Sequence, residues 1–200
     1  MARAAVVLRL MRHAKTPMNA RKEYLGWTDD AILAQALPVQ SYAQHTIIGS
    51  DLLRCRQTAA AYFPHATYIK EPRLRELDFG DFEGKTYAQL QHNAAYCAWL
   101  DDPYAPVPNG ENFADFLQRV YAGFLTNARD KTIIMTHGGV VRALLQRFAP
   151  KEHPYWHYSA GHEQVYTLIW QHQQDFEEAR RCTYLLEEHI AAKPHMSKKS

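Results

Sequence analysis

Short apolar runs alternate with longer amphipathic segments along the chain, and this alternation predicts an α/β fold. Five runs have the length and composition of strands: residues 4–10, 46–50, 66–70, 132–136 and 165–170. Helical patterns occupy residues 31–43 (short and broken at Pro38), 51–63, 87–100, 113–128 and 140–148. Residues 176–189 fit either element. Strands that alternate with helices predict a mostly parallel sheet with helices on both faces.

Two segments lack either pattern and are predicted to be loops. Residues 71–84 surround a short acidic and aromatic stretch, and residues 101–110 are rich in proline. The second loop is expected to be rigid rather than a domain linker, because an amphipathic helix resumes directly after it.

Composition and charge limit the kinds of partner. The sequence is 46% hydrophobic and 22% charged, with a net charge of +2, which is typical of a soluble globular protein and too small for binding to nucleic acid or membrane surfaces. No apolar run approaches the ~18 residues of a membrane span. Arg9 interrupts the first apolar run, so we expect no signal peptide and a cytoplasmic location. Cys55, Cys97 and Cys182 are expected to be reduced thiols.

Two of the predicted strands lead into a histidine. Arg12 and His13 follow the first strand, and His137 follows residues 132–136. Because parallel strands bring their carboxyl ends to one edge of a sheet, these histidines are expected to converge. Arg54 lies in the first turn of a helix, where anions bind readily, and Glu76 lies in the loop after the next strand.

These five residues have the components of a metal-free site for phosphoryl transfer, and no cofactor is expected. Two guanidiniums bind phosphate oxygens in a forked geometry, while one imidazole attacks phosphorus and the other donates a hydrogen bond. The arginines keep the attacking imidazole neutral, and a carboxyl group that faces the phosphate dianion holds a proton for the leaving oxygen. Gly138 and Gly139 let backbone N–H groups approach the ligand.

Six segments of the chain, in order, resemble the histidine phosphatase superfamily, which includes the cofactor-dependent phosphoglycerate mutases. These segments are residues 10–16 with Asn19, and residues 26–29, 50–54, 74–84, 109–112 and 136–142. The resemblance implies that His13 is the phosphorylated nucleophile and that Glu76 is the proton donor. It further implies a phosphate clamp and additional phosphate contacts from the loop after His13. The residues implied in binding are Arg12, Thr16, Asn19, Arg54 and His137.

The chain departs from the usual family pattern at several positions. Ala14 stands where glycine is usual, Lys15 replaces an acidic residue and Met18 a tryptophan, which alters the mouth of the site more than its chemistry. Mutases have basic residues after their acid, whereas Asp78 has the wrong sign to hold a second phosphate, so a phosphatase is favoured. Residues 76–84 and the later Pro-Asn-Gly-Glu pattern look most like α-ribazole phosphatases of cobalamin assembly.

The sequence lacks the motifs that other classes of phosphatase require. A cysteine phosphatase needs arginine six positions after its cysteine, and Ala61, Pro103 and Glu188 stand there instead. No motif of an aspartate nucleophile, a P-loop or a serine hydrolase occurs, and no clusters of metal ligands are visible. Residues 78–112, approximately, are expected to form a small helical cap, and the aromatic residues Tyr96, Trp99 and Tyr104 are expected to pack within it.

Three further histidines, His153, His157 and His162, lie in an aromatic loop without metal-ligand spacing and are expected at the surface.

We therefore predict a three-layer α/β/α sandwich with a mostly parallel sheet. Residues 1–192 form one domain with a small helical cap at about 78–112, and residues 193–200 form a disordered tail. The expected activity is metal-independent hydrolysis of a small phosphorylated metabolite by a monomer or homodimer, with α-ribazole 5′-phosphate as the candidate substrate. Three alternatives remain open: a broad-specificity phosphatase, a phosphoglycerate mutase and a non-enzymatic phospho-ligand binding module.

Overall fold

A computed structural model describes residues 5–40 and 46–190, which form a six-stranded sheet with helices on both faces. The strands are β1 (Val6–Arg12), β2 (Ile47–Gly49), β3 (Tyr68–Lys70), β4 (Thr132–Thr136), β5 (Gln164–Trp170) and β6 (Tyr184–His189). Their order across the sheet is β3-β2-β4-β1-β5-β6. The five predicted strands are confirmed to within two residues at each end, apart from residue 4, which lies outside the described residues.

The strand directions confirm the mostly parallel sheet. Strand β4 pairs in parallel with both β1 and β2, and β2 pairs in parallel with β3. Strands β5 and β6 are antiparallel to their neighbours, β5 pairing with β1 along its length. The alternation of strands and helices did not predict this reversal, because direction depends on how the chain returns to the sheet.

The helices are α1 (Pro17–Ala20), α2 (Leu53–Tyr62), α3 (Tyr87–Leu90), α4 (Ala94–Asp101), α5 (Phe113–Asn127), α6 (Gly138–Phe148) and α7 (Gln173–Glu177). Along β1, Leu8 and Leu10 face the core that contains α5 and α6, whereas Met11 faces the smaller core that contains α2. This alternation follows from the two-residue period of a strand, and it produces the predicted three layers.

The single helix predicted over residues 87–100 is two helices, α3 and α4. Two capping signals lie inside the predicted span: Thr86 and Gln89 form a capping box for α3, and the Asn93 side chain accepts a hydrogen bond from the Tyr96 N–H of α4. Asparagine is more favourable as a cap than in a helix interior, which accounts for the break.

The helix predicted over residues 31–43 is wrong for the part that the structure describes, residues 31–40, and residues 41–43 lie outside it. The N–H groups of this segment bind partners elsewhere in the chain. Ile32 N–H donates to the Gln57 side chain, Leu33 N–H to the Lys15 carbonyl, and Gln40 N–H to the Tyr62 carbonyl. A segment without regular secondary structure, hydrogen-bonded to α2, therefore replaces the helix.

Residues 176–189 contain the end of α7 and strand β6. Residues 193–200, predicted to be a tail, lie outside the described residues. The division into one domain with a cap at 78–112 stays a prediction, although Tyr96 and Trp99 of that segment are buried against Tyr24. Tyr104 is exposed. None of the helices within residues 5–40 and 46–190 is both long and apolar enough to cross a bilayer.

Candidate active site

His13 stands directly after β1 and is 2% exposed. Its Nδ1 lies 2.8 Å from the Ala14 carbonyl oxygen, and a carbonyl can only accept, so Nδ1 carries the proton. The lone pair is therefore on Nε2. Burial, together with Arg12 and Arg54, lowers the pKa of His13 well below 6.5, which keeps the ring neutral. A buried neutral imidazole with a free lone pair is suited to nucleophilic attack.

His137 follows β4, the neighbour of β1, and its ring centroid lies 5.2 Å from that of His13 in an edge-to-face arrangement. Its Nδ1 accepts a hydrogen bond from Arg54 Nε at 3.2 Å, which assigns the proton to Nε2. That nitrogen lies 3.6 Å from the sulfur of Cys55, a neighbour that sequence reasoning missed. Donation to a phosphoryl oxygen exchanges this weak contact for a stronger bond.

Arg12 and Arg54 approach the histidines from different elements. Arg54 is fully buried in the first turn of α2 and donates to the carbonyls of Gly26 at 2.6 Å and Thr28 at 2.8 Å. Arg12 donates to the Ala160 carbonyl at 2.7 Å, and its buried Nε has no acceptor among the described residues. Burial lowers the pKa of Arg12 to about 10, a cost that a bound anion offsets.

Glu76 reaches the same site from the loop before the cap. Its Oε2 accepts a hydrogen bond from the Gly139 N–H at 2.8 Å, at the beginning of α6, and its Oε1 accepts one from the Leu77 N–H. Gly138, the first residue of α6, lies against the Arg12 guanidinium. The structure thus brings together all five residues of the predicted constellation, and their chemical roles stay predictions.

Replacing Gly139 with alanine is expected to displace the Glu76 carboxyl group. A Cβ atom at this position would lie 2.1 Å from Glu76 Oε1, far inside van der Waals contact, so the carboxyl must move. We expect kcat/KM for an alkyl phosphate to fall about 10- to 100-fold, since general acid catalysis depends on position. In Gly138→Ala the nearest atom, on Arg12, is 3.4 Å away, and the loss should be smaller. Equal losses in steady-state assays would contradict this account.

Thr16 and Asn19 form a reciprocal cap at the beginning of α1. The Thr16 hydroxyl oxygen accepts from the Asn19 N–H, and the Asn19 side chain accepts from the Thr16 N–H. Thr16 is fully buried, whereas Asn19 lines the cavity beside Arg12. The structure therefore places Asn19 at the site and gives Thr16 a capping role; the predicted phosphate contacts of both remain untested.

His162 was predicted to lie at the surface, and the structure places it against His13 instead. Its ring centroid lies 5.4 Å from that of His13, and its Nδ1 donates to the His13 carbonyl at 2.7 Å. His153 and His157 stack on each other 3.7 Å apart, away from this contact. The described residues contain no cluster of three or more His, Cys, Asp or Glu side chains able to hold a metal ion.

Three imidazoles in the site make the stability of the fold depend on pH. Burial, with nearby Arg12 and Arg54, lowers the pKa of His13 and His137 well below 6.5, and burial with Arg12 lowers that of His162 to about 4. As the pH falls below 6.5, the unfolded chain binds protons at these rings and the folded chain does not. Stability should therefore fall, by up to about 1.4 kcal/mol per pH unit for each histidine.

Urea unfolding at pH 7.5, 6.5 and 5.5 measures this dependence. In His162→Gln the amide can keep the bond to the His13 carbonyl. This variant should reduce the pH dependence of the free energy of unfolding by the contribution of up to one proton. His157→Gln, at an exposed position, serves as the control. A free energy of unfolding that stays constant between pH 6.5 and 5.5 would contradict the neutral state of the buried rings.

A cavity of about 470 Å³ opens beside Arg12 and Glu76. Six aromatic residues lie on its wall: Tyr24, Phe79, Trp99, Phe113, Tyr155 and Trp156. The Trp99 indole N–H is buried without an acceptor among the described residues. The cavity therefore suits an aromatic group attached to a phosphate.

The loop after Glu76 turns at Asp78. The Asp78 carboxylate accepts a hydrogen bond from the Gly80 N–H at 3.0 Å.

The model of the Histidine phosphatase superfamily (branch 1) matches residues 8–182 of this chain. The chain belongs to the histidine phosphatase superfamily. This confirms the resemblance drawn from the six sequence segments, and with it the prediction of an enzyme of the histidine phosphatase class.

Individual relatives agree with this assignment. The chain is 30% identical over 155 residues to the adenosylcobalamin/alpha-ribazole phosphatase of Salmonella typhimurium, covering 69% of this chain and 77% of that protein. It is 26% identical to a 2,3-bisphosphoglycerate-dependent phosphoglycerate mutase of Afipia carboxidovorans, covering 72% of this chain and 83% of the mutase. The solved alpha-ribazole phosphatase of Shigella flexneri superposes with a TM-score of 0.71 at 24% identity, covering 81% of this chain and 89% of its own, which shows the shared fold.

Proposed function

We propose that this histidine phosphatase hydrolyses a small phosphomonoester through a phosphohistidine at His13. The pair of facing imidazoles is the main support. His13 has its lone pair on Nε2, and His137, with its proton on Nε2, lies 5.2 Å away between ring centroids. Arg12 and Arg54 supply the positive charge that phosphoryl transfer requires near the phosphate oxygens.

The proposed reaction has two steps. In the first, Nε2 of His13 bonds to phosphorus while the ester P–O bond breaks, and the leaving oxygen takes a proton from Glu76. In the second, water attacks phosphorus and gives its proton to the Glu76 carboxylate as the N–P bond breaks. The products are an alcohol and inorganic phosphate, and both side chains return to their initial states.

α-Ribazole 5′-phosphate is the substrate that we propose first. Its benzimidazole base is an aromatic group that matches the aromatic wall of the 470 Å³ cavity. The name of the Salmonella relative points to the same compound. A broad-specificity phosphatase would use the same cavity with less selectivity.

A mutase is the second candidate. A polar hollow of about 320 Å³ adjoins Arg12, and Lys22 on its wall can bind a second anionic group. The sequence argument against a mutase, the acidic Asp78 where mutases have basic residues, stays a prediction; the Asp78 carboxylate accepts a hydrogen bond from the Gly80 N–H. The aromatic cavity nevertheless favours the phosphatase, since glycerate has no aromatic part.

Kinetics on a defined panel tests the proposal. The purified protein is assayed with α-ribazole 5′-phosphate, p-nitrophenyl phosphate, and 3-phosphoglycerate with and without its bisphosphate. We expect phosphate release, inhibition by vanadate, no effect of chelator, and kcat/KM at least about 100-fold higher for α-ribazole 5′-phosphate than for 3-phosphoglycerate. Isomerisation of 3-phosphoglycerate without phosphate release would establish the mutase instead.

A further inference from the structure

Arg119 of α5 has an unusually complete set of hydrogen bonds. Its five N–H groups all have acceptors: two bind the Glu111 carboxylate and three bind backbone carbonyls. Those carbonyls belong to Arg73, Arg75 and Glu76, at 2.9, 2.7 and 2.7 Å. Arg119 therefore binds the backbone of the segment that carries the predicted acid.

The remaining contacts of this segment show what Arg119 contributes. The Leu74 carbonyl accepts from the Thr136 hydroxyl at 2.8 Å, and the Glu76 carbonyl also accepts from the Trp27 indole N–H at 2.9 Å. Each carbonyl from residue 73 to residue 76 thus has a side-chain donor, and Arg119 supplies three of the five bonds. Carbonyls that lose a donor destabilise the local conformation, so removal of this guanidinium is expected to loosen the segment although Thr136, Trp27 and the Arg75–Asp51 ion pair still hold it.

The other end of Glu76 is bound independently. Its carboxyl group is held by the Gly139 N–H of α6, while its backbone is held by Arg119 of α5. Arg119 is not among the residues on the wall of the aromatic cavity, so it acts through Glu76. Glu111, 14% exposed, orients and neutralises the guanidinium through a bidentate ion pair.

We propose that Arg119, with Glu111, is a positioning residue that holds Glu76 where its proton reaches the leaving oxygen. This inference rests on the proposed function, in which Glu76 is the acid. Lysine keeps the charge of arginine but has only three donors on a single atom, so it cannot reproduce a planar fork that binds three carbonyls and a carboxylate.

Substrates whose leaving groups differ in basicity test the proposal. p-Nitrophenolate leaves without a proton, whereas an alkoxide such as that of glycerol 3-phosphate needs one. kcat/KM includes only the steps up to departure of the leaving group, so the second step does not affect it. Arg119→Lys and the reference variant Glu76→Gln should lower kcat/KM for glycerol 3-phosphate about 30- to 100-fold and that for p-nitrophenyl phosphate less than about threefold.

The matched control is Arg73→Lys. Arg73 lies in the same segment, but its side chain pairs with Glu71 and is 40% exposed, so the ratio of the two kcat/KM values should stay unchanged. Glu111→Gln provides a second variant if Arg119→Lys does not fold, and it should lower the ratio in the same direction.

Equal losses on both substrates, or no loss on either, in Arg119→Lys would overturn the positioning role. If Arg119→Lys does not fold, an unchanged ratio in Glu111→Gln overturns it. Failure of the wild-type protein to release phosphate from all three of glycerol 3-phosphate, p-nitrophenyl phosphate and α-ribazole 5′-phosphate would overturn the proposed function itself, which is a different result.

Discussion

Replacing His13 with alanine is expected to lower kcat/KM for p-nitrophenyl phosphate by at least about 10⁴-fold, because the change removes the proposed nucleophile. The neighbouring imidazole of His137 has its lone pair bound by Arg54 and its proton facing Cys55, so it cannot substitute. The wild-type protein, quenched during turnover, should carry an acid-labile phosphoryl group on His13, and the variant should carry none. Phosphate release and mass spectrometry of alkaline digests measure the two effects.

Circular dichroism and thermal unfolding check that the His13→Ala protein is folded. The matched control is His157→Ala, since His157 is exposed and stacks only on its own loop, and its activity should equal that of the wild type. A folded His13→Ala protein that still releases phosphate at more than a hundredth of the wild-type rate would rule out the phosphohistidine.

Replacing Arg54 with methionine is expected to affect activity and stability together. The carbonyls of Gly26 and Thr28 and Nδ1 of His137 all lose their donor, and the site loses a fully buried positive charge. We expect kcat/KM to fall about 10³-fold and the free energy of unfolding to fall by about 2 to 4 kcal/mol. Steady-state kinetics, urea unfolding and the affinity for vanadate measure these losses.

Arg56→Met is the control for this change. Arg56 lies on the same helix, is half-buried, and donates only to the Asp51 carbonyl at its Nε, so kcat/KM should change little. If Arg54→Met were folded and bound vanadate as tightly as the wild type, Arg54 would have no part in holding the phosphate.

The convergence of the two histidines was predictable from the sequence because parallel strands end at the same edge of a sheet. Strands β1 and β4 are adjacent and parallel, with Arg12 opposite Thr136, so the residue after each strand falls at the same edge. The apolar runs that mark these strands are short and distinct, which made their ends visible. The position of Glu76 was inferred from order along the chain and the family resemblance, and the structure brings it to the same place.

The contributions of His162 and Arg119 could not be predicted by the same reasoning. His162 precedes β5, and only the antiparallel direction of that strand brings its beginning to the edge where β1 ends. Arg119 lies on a helix whose apolar residues predict its buried face but not the partners of a polar side chain. The error over residues 31–40 has a similar origin, since their N–H groups bind distant acceptors that no local pattern reveals.

The antiparallel direction of β5 means that the site is built from two kinds of segment. The proposed phosphate-binding residues Arg12, His13 and His137 lie at the ends of parallel strands, whereas residues 153–163 approach the mouth of the site from a strand that runs the other way. Tyr155 and Trp156 of this segment lie on the wall of the aromatic cavity, so variation at these two positions is expected to change which alcohols the proposed reaction accepts. Substrate choice can therefore diversify at this loop, by natural variation or by loop grafting, without any change in the parallel strands.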